Sequence, residues 1–297
     1  MTDALAIARY HIMLVAMAAS VTFGWLMTGK YYPWIAAVVA LDWFLINLMN
    51  RVTDIEEDTK NAIAGTALVA RNKRALTVGS FALMFGSIAA THFVWPGLTP
   101  WRVAVQVIGL GYNYDIVPTP RGMSRFKELY FFKNFGSSVL FVLTCFVYPL
   151  ALDPAARTMS WAGVATLALF FVPFELTYEI LYDLRDLEGD RAEGVPTYPV
   201  VHGVPTSLRI IDGLLAGSAI VLLGGFVAGF VGAREALMLA APPIQLWFYR
   251  ARIRRGLTPR DCIVLTHVGT ALLVFFLVGT AVWLRLGLPA NWMLRTA

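Results

Sequence analysis

Apolar residues in this chain come in long runs, broken by polar stretches that are alternately short and long. The runs fall at roughly 10–29, 33–52, 76–95, 101–115, 129–150, 160–182, 212–231, 235–250 and 262–284, most of them near the length a bilayer-spanning helix needs. The pattern predicts an all-α integral membrane fold: a bundle of about nine transmembrane helices around a central cavity. The fourth and eighth runs are short, so those helices are expected to be tilted, extended or broken. Connections on one side are brief, near 29–32, 95–101 and 232–234. Those on the other are long, roughly 53–75, 116–128 and 183–211, and are expected to cap the cavity and carry the chemistry. No low-complexity segment or second soluble domain interrupts residues 1–297, which read as one transmembrane domain.

Composition agrees with that pattern: 58% of residues are hydrophobic, 14% are charged and the mean hydropathy is +0.65. No A-x-A-like cleavage site follows the first run, so it is expected to stay as a helix. Cys145 and Cys262 both lie in apolar runs without metal-ligand spacing and read as packing residues. The net charge of +5 would suggest nucleic acid in a soluble protein, but its placement marks topology instead. With the N-terminus inside, 18 of the 24 Lys and Arg residues fall on the inner side. Both acidic windows described below are then expected to open to the cytoplasm, at the inner or cell membrane if the source is bacterial. Most tryptophans, among them Trp25, Trp34, Trp95, Trp101, Trp161, Trp247, Trp283 and Trp292, lie near run ends as interface anchors.

The acids are far from evenly spread. Asp54, Glu56, Glu57 and Asp58 follow the second run, while Glu175, Glu179, Asp183, Asp186, Glu188, Asp190 and Glu193 lie within or after the sixth. Asn50, Asp54 and Asp58 recur every fourth residue, and Asp186 and Asp190 repeat that spacing, so each set lines one face of a helix. Close carboxylates repel unless a cation joins them, and Mg2+ prefers such oxygen donors together with substrate phosphates. Metal ligation is preferred here to the alternative of solvated loop charge. Glu56, Glu57, Glu188 and Glu193 lie off those faces and read as solvated. Glu175 and Glu179, inside an apolar run, are either functional or helix-to-helix hydrogen bonders. Asp42 and Asp115 are weaker candidates of the same kind, and His92 and His267 read as packed core.

Cations accompany the acids. Arg121, Arg125, Lys127 and Lys133, with Tyr114 and Asn134 nearby, form one group; Arg71, Lys73 and Arg74 form another. Fixed cations and metal together bind phosphate oxygens well, so the combination points to a diphosphate, and a cavity in a membrane suits a lipid one. Metal would stabilise the leaving diphosphate as an allylic C–O bond breaks. A dry aromatic chamber would shelter the cation left behind. Phe131, Phe132, Phe135, Phe141, Phe170, Phe171 and Phe174 could supply it.

At this point the residues resemble the UbiA superfamily of intramembrane prenyltransferases over nearly the whole chain. The likeness rests on about nine runs, Asn-x3-Asp-x3-Asp after the second, and the window from Tyr182 to Gly194 with Asp-x3-Asp after the sixth. It implies Mg2+ and prenyl diphosphate bound by Asn50, Asp54, Asp58, Asp186 and Asp190. It also implies diphosphate contacts from the 114–133 region, namely Tyr114, Arg125, Lys127 and Lys133, with Tyr182 beside the second motif. The expected activity is Mg2+-dependent transfer of a prenyl chain to a lipophilic acceptor, aromatic or otherwise. Arg51 stands where such proteins usually carry Asp after the motif Asn, and Thr59 to Gly65 replaces a basic, proline-containing segment. These departures leave the number of metal ions open. They also leave open a terpene cyclase on the same scaffold, which would need no acceptor. Acidic helices line ion paths too, but transporter sites usually lie near the midplane.

Overall fold

The computed structural model describes residues 3–61, 63–120 and 122–289. Arg121 and Trp292, named above as a loop cation and an interface anchor, lie outside them, as does the side chain of Phe131. Nine main helices follow in order: α1 (Tyr10–Thr28), α2 (Pro33–Thr53), α3 (Lys73–Val94), α4 (Thr99–Asn113), α5 (Phe132–Leu152), α6 (Trp161–Glu193), α7 (Val204–Val227), α8 (Ala241–Ile253) and α9 (Pro259–Arg285). Seven of them are long and apolar enough to cross a membrane, and the protein is multi-pass. The expected count of nine spans is not confirmed: α4 and α8, the two expected to be short, have 15 and 13 residues. At 1.5 Å per residue they rise only about 22 and 20 Å, short of a hydrocarbon core of about 30 Å.

Local chemistry sets the helix ends. Pro33 and Pro259 stand in the first turns of α2 and α9, where a missing N–H loses no helical bond. Ser160 accepts a hydrogen bond from the Gly163 N–H at 3.1 Å to start α6. That helix does not stop where hydropathy falls, near 182. It continues to Glu193 and ends at Gly194, whose φ of 70° is the left-handed cap that glycine adopts freely. The first part of the connection expected at roughly 183–211 is thus helix continuous with the span, as the spacing of Asp186 and Asp190 requires. The reason is that polar residues end an apolar run without ending helical periodicity.

Between α4 and α5, β1 (Val117–Thr119) pairs antiparallel with β2 (Gly122–Ser124), with Pro118 opposite Met123. This small hairpin is part of the cap and the one departure from helix among the described elements. A π-helical turn at Leu143–Val147 interrupts α5 just before Pro149, which has no N–H to give. The main core lies among α1, α2, α5 and α6, where Phe23, Phe146 and Phe171 pack ring on ring with centroids 4.4 to 6.0 Å apart. Cys145 and Cys262 are buried and unpaired, as packing residues should be.

Candidate active site

A chamber of about 760 Å³ opens among α1, α2, α5, α6 and α9. One end is lined by Asn50, Asp54, Asp58, Lys127, Lys133, Asp186 and Asp190, and the other by rings such as Phe141, Phe170, Phe171 and Phe174. The fold therefore brings the two acidic windows, more than a hundred residues apart in sequence, to one end of an apolar cavity. Two contacts set that approach. Lys60 pairs with Glu193 at 2.9 Å. Gly189, between Asp186 and Asp190, lies so close to Asn61 that a Cβ there would fall 2.6 Å from the Asn61 side-chain oxygen.

The first window is helical with a break at Asp54, whose φ of −102° and ψ of 31° separate α2 from a short helix, Ile55–Lys60. Asn50 donates to Asp54. Asp54 also pairs with Lys127 at 2.8 Å and Arg125 at 3.1 Å. Asp58 is held by Arg51, whose guanidinium is buried and also donates to the Ala64 carbonyl at 2.7 Å. Arg51 itself does not line the chamber. Burial pushes the Asp58 carboxyl above its ordinary range, against the downward pull of Arg9 and Arg51. Arg9 is the one non-glycine residue described with positive φ, at 45°. It lines the chamber and, among the described residues, has no ion pair there.

The second window lies on the far end of α6. Lys133 pairs with Asp183 at 2.5 Å and Asp190 at 3.3 Å, and Asn134 donates to Asp183 at 2.7 Å. Arg185 holds Asp186 and also covers the Tyr182 ring, 4.7 Å from its centroid. The Tyr182 hydroxyl meets Thr266 on α9 at 3.0 Å.

Not every expected residue lines the chamber. Tyr114 follows α4 with its ring against Phe81, 6.1 Å between centroids, and it is Tyr112 that faces inward. Arg125 reaches Asp54 from outside the chamber, beside Lys73. Glu57, expected to be solvated, lines the chamber and pairs with Lys127 at 2.9 Å. Asp183 is the clearest omission. It lies three residues before Asp186 and seven before Asp190, so the same spacing logic would have found it. Nothing in the sequence pointed to Asn61 or Arg9. Asp42 and Asp115 lie elsewhere: Asp42 is enclosed by α4 and α5, and Asp115 is exposed, 3.9 Å from Arg125.

Among the described residues, no three His, Cys, Asp or Glu side chains converge tightly enough to hold a metal ion alone. The carboxylates are drawn instead to lysines and arginines. Their donor chemistry still suits Mg2+, which uses one or two carboxylates and completes its shell with substrate phosphates and water.

The family model for the UbiA prenyltransferase family matches residues 16–266, spanning both acidic windows and the loop that carries Lys127. The chain belongs to this family. Like UbiA proteins of known structure, it shares its fold with the UbiA homolog from Archaeoglobus fulgidus bound to DMAPP and Mg2+. There the TM-score is 0.70 and identity 18%, over 93% of this chain and 97% of that one. The same protein bound to GPP and Mg2+ aligns with a TM-score of 0.66 at 17% identity, over 93% and 98%. At such identities the likeness is one of fold. A digeranylgeranylglyceryl phosphate synthase from Methanopyrus kandleri is 26% identical over 216 residues, 71% of this chain and 70% of that protein. The synthase of the same name from Haloquadratum walsbyi is 37% identical over 70 residues, so the match spans only 24% of that protein's length.

Proposed function

We propose that this protein transfers a prenyl chain from a prenyl diphosphate to a lipophilic acceptor within the membrane, with Mg2+ bound at the polar end of the chamber. The observation that carries it is the meeting of Asp54, Asp58, Asp186, Asp190, Lys127 and Lys133 at one end of a cavity otherwise walled largely by aromatic rings and aliphatic side chains. Asn50, Asp54, Asp58, Asp186 and Asp190 would hold Mg2+, with Asp183 as a further donor. When bound, Mg2+ supplies Lewis-acid stabilisation of the departing diphosphate. Lys127, Lys133 and Arg9 bind the diphosphate oxygens; the two lysines are pre-positioned by the carboxylates they now hold. Phe141, Phe170, Phe171 and Phe174 line the rest of the chamber, exclude water and offer ring faces to an allylic cation. The excess of Lys and Arg beside the polar end supports an orientation with that end and the N-terminus in the cytoplasm.

The A. fulgidus complexes with DMAPP, GPP and Mg2+ support the donor class. The synthases' name supports an acceptor that ends as a digeranylgeranylglyceryl phosphate, one already bearing a single geranylgeranyl group and a free hydroxyl. Purified protein in nanodiscs would be given geranyl, farnesyl or geranylgeranyl diphosphate with Mg2+, with and without geranylgeranylglyceryl phosphate or a phenolic acid, and products read by mass spectrometry. A prenylated acceptor supports transfer. A cyclic hydrocarbon or alcohol formed without acceptor would replace it with a terpene cyclase, and no diphosphate release under any condition would refute both.

A further inference from the structure

Two carboxylates in the chamber stand apart from all those described so far. Glu175 and Glu179 lie on α6, two turns and one turn deeper in the bundle than Asp183, and both line the chamber. Each carboxylate of the two windows that faces the chamber has a lysine or arginine within ion-pair distance. Glu175 and Glu179, among the described residues, have serine hydroxyls instead. Ser137 on α5 lies 2.9 Å from Glu179 and 3.2 Å from Glu175, and Ser138 also donates to Glu175. One hydroxyl carries one proton, so Ser137 serves one carboxyl at a time, and the shorter contact is with Glu179. Glu175 is 5% exposed and has Ser138 as a second donor; Glu179 is the more open of the two.

The wall around this pair is also short of partners. His11 on α1 is 7% exposed and lines the chamber, and its Nδ1 has no hydrogen-bond partner. Its ring stacks on Tyr182, one turn from the pair, with centroids 6.3 Å apart. The Tyr178 hydroxyl, also lining the chamber, has no partner either and approaches Gly269 on α9, where a Cβ would meet it at 2.9 Å. Buried polar groups are normally paired, so this set is built for something that enters the chamber with polar groups of its own. The anionic diphosphate does not suit a pair of carboxylates without cations. A neutral group that donates a hydrogen bond does.

On the prenyl-transfer reading, on which this rests, we infer that Glu179, oriented by Ser137 and backed by Glu175, accepts the proton that a hydroxyl-bearing acceptor loses when it is prenylated. The C–O bond of the donor breaks and the diphosphate leaves with the electron pair. The acceptor oxygen bonds to the prenyl carbon, and its proton passes to a Glu179 oxygen and then to solvent. Glu179 is thus a catalytic residue, whereas Ser137 and Glu175 position it.

The test compares wild type with Glu179→Gln, Glu179→Asp and Ser137→Ala in nanodiscs, using geranylgeranyl diphosphate, Mg2+ and geranylgeranylglyceryl phosphate or 4-hydroxybenzoate, whichever wild type turns over faster. Donor affinity is measured separately with the non-ionising thiodiphosphate analogue, which also reports folding. Glu179→Gln is expected to lower kcat by about 10²–10⁴-fold with donor affinity within threefold. Glu179→Asp should recover part of the rate, and Ser137→Ala should fall between. Wild-type kcat in Glu179→Gln, or loss of donor binding equal to its loss of rate, overturns the inference while leaving the transferase reading in place. A wild-type protein that does not bind the analogue overturns both.

Discussion

Helix α2 carries one buried carboxylate near its middle and another at its C-terminal end, and they behave in opposite ways. Near its middle, Asp42 receives Arg102 at 3.0 Å and Tyr148 at 2.8 Å on one oxygen, and Gln106 at 2.9 Å with a second Arg102 nitrogen on the other. Arg102 in turn donates to Thr91 at 2.7 Å and the Ser87 carbonyl at 2.9 Å. Both oxygens are satisfied and none of these groups lines the chamber. At the C-terminal end, Asp54 faces the chamber and is held by Lys127 and Arg125. A closed knot fixes helices. An open one, with a side facing a cavity, leaves room for another anion, as the proposed site requires. The test is whether a buried charge has its partners on all sides or leaves one side facing a cavity.

Substitutions should separate the two ends cleanly. Asp54→Asn is expected to cut turnover on the order of 10²–10³-fold at unchanged melting temperature, measured with Mg2+ and a prenyl diphosphate. Asp42→Ala should do the reverse: it strands the Arg102 charge and is expected to cost about 3–5 kcal/mol of stability. Thermal unfolding in detergent reads that loss, and donor affinity of the folded fraction should hold. Lys133→Met should weaken binding of the thiodiphosphate analogue by about 10-fold or more, the worth of a charged hydrogen bond. Gly189→Ala presses against Asn61 and is expected to cost about 1–3 kcal/mol and to loosen the approach of the two windows, seen as weaker donor binding. At the other surface, Lys30→Ala should leave turnover untouched. Its ammonium, bonded to Asp153, holds that carboxyl below the ordinary range. What the pair adds to stability is therefore present above the ordinary carboxylate range and fades as pH falls through the lowered value.

Much of this was legible in the chain because membrane helices are long and apolar and charge within them is rare. The i, i+4 spacing of Asn50, Asp54 and Asp58 and of Asp186 and Asp190 located the polar end, since helical backbone converts spacing into a face, continuous along α6 and resumed after the break at Asp54 in the first window. Hydropathy could not tell that α6 runs on to Glu193, because loss of apolar character and loss of helix are different events. For that reason Asp183 was left among loop acids. Tyr112 and Tyr114 differ by two residues, which turns a side chain to the other face of a helix; only the packing of α4 decides which one points inward. Arg9 and Asn61 reach the chamber through tertiary contacts between distant segments, which carry no local signal. Asp42 and Glu175 were both buried acids in apolar runs, and their partners on other helices are what distinguish them.

The most direct measurement is calorimetric binding of geranylgeranyl thiodiphosphate to the purified protein, with and without Mg2+, in wild type and Asp54→Asn. Binding that needs Mg2+ and weakens at least tenfold in Asp54→Asn is the predicted result, since the inner windows are held to form the diphosphate site. Equal affinity without Mg2+ and in the variant would mean that the two acidic windows are as structural as the Asp42 knot.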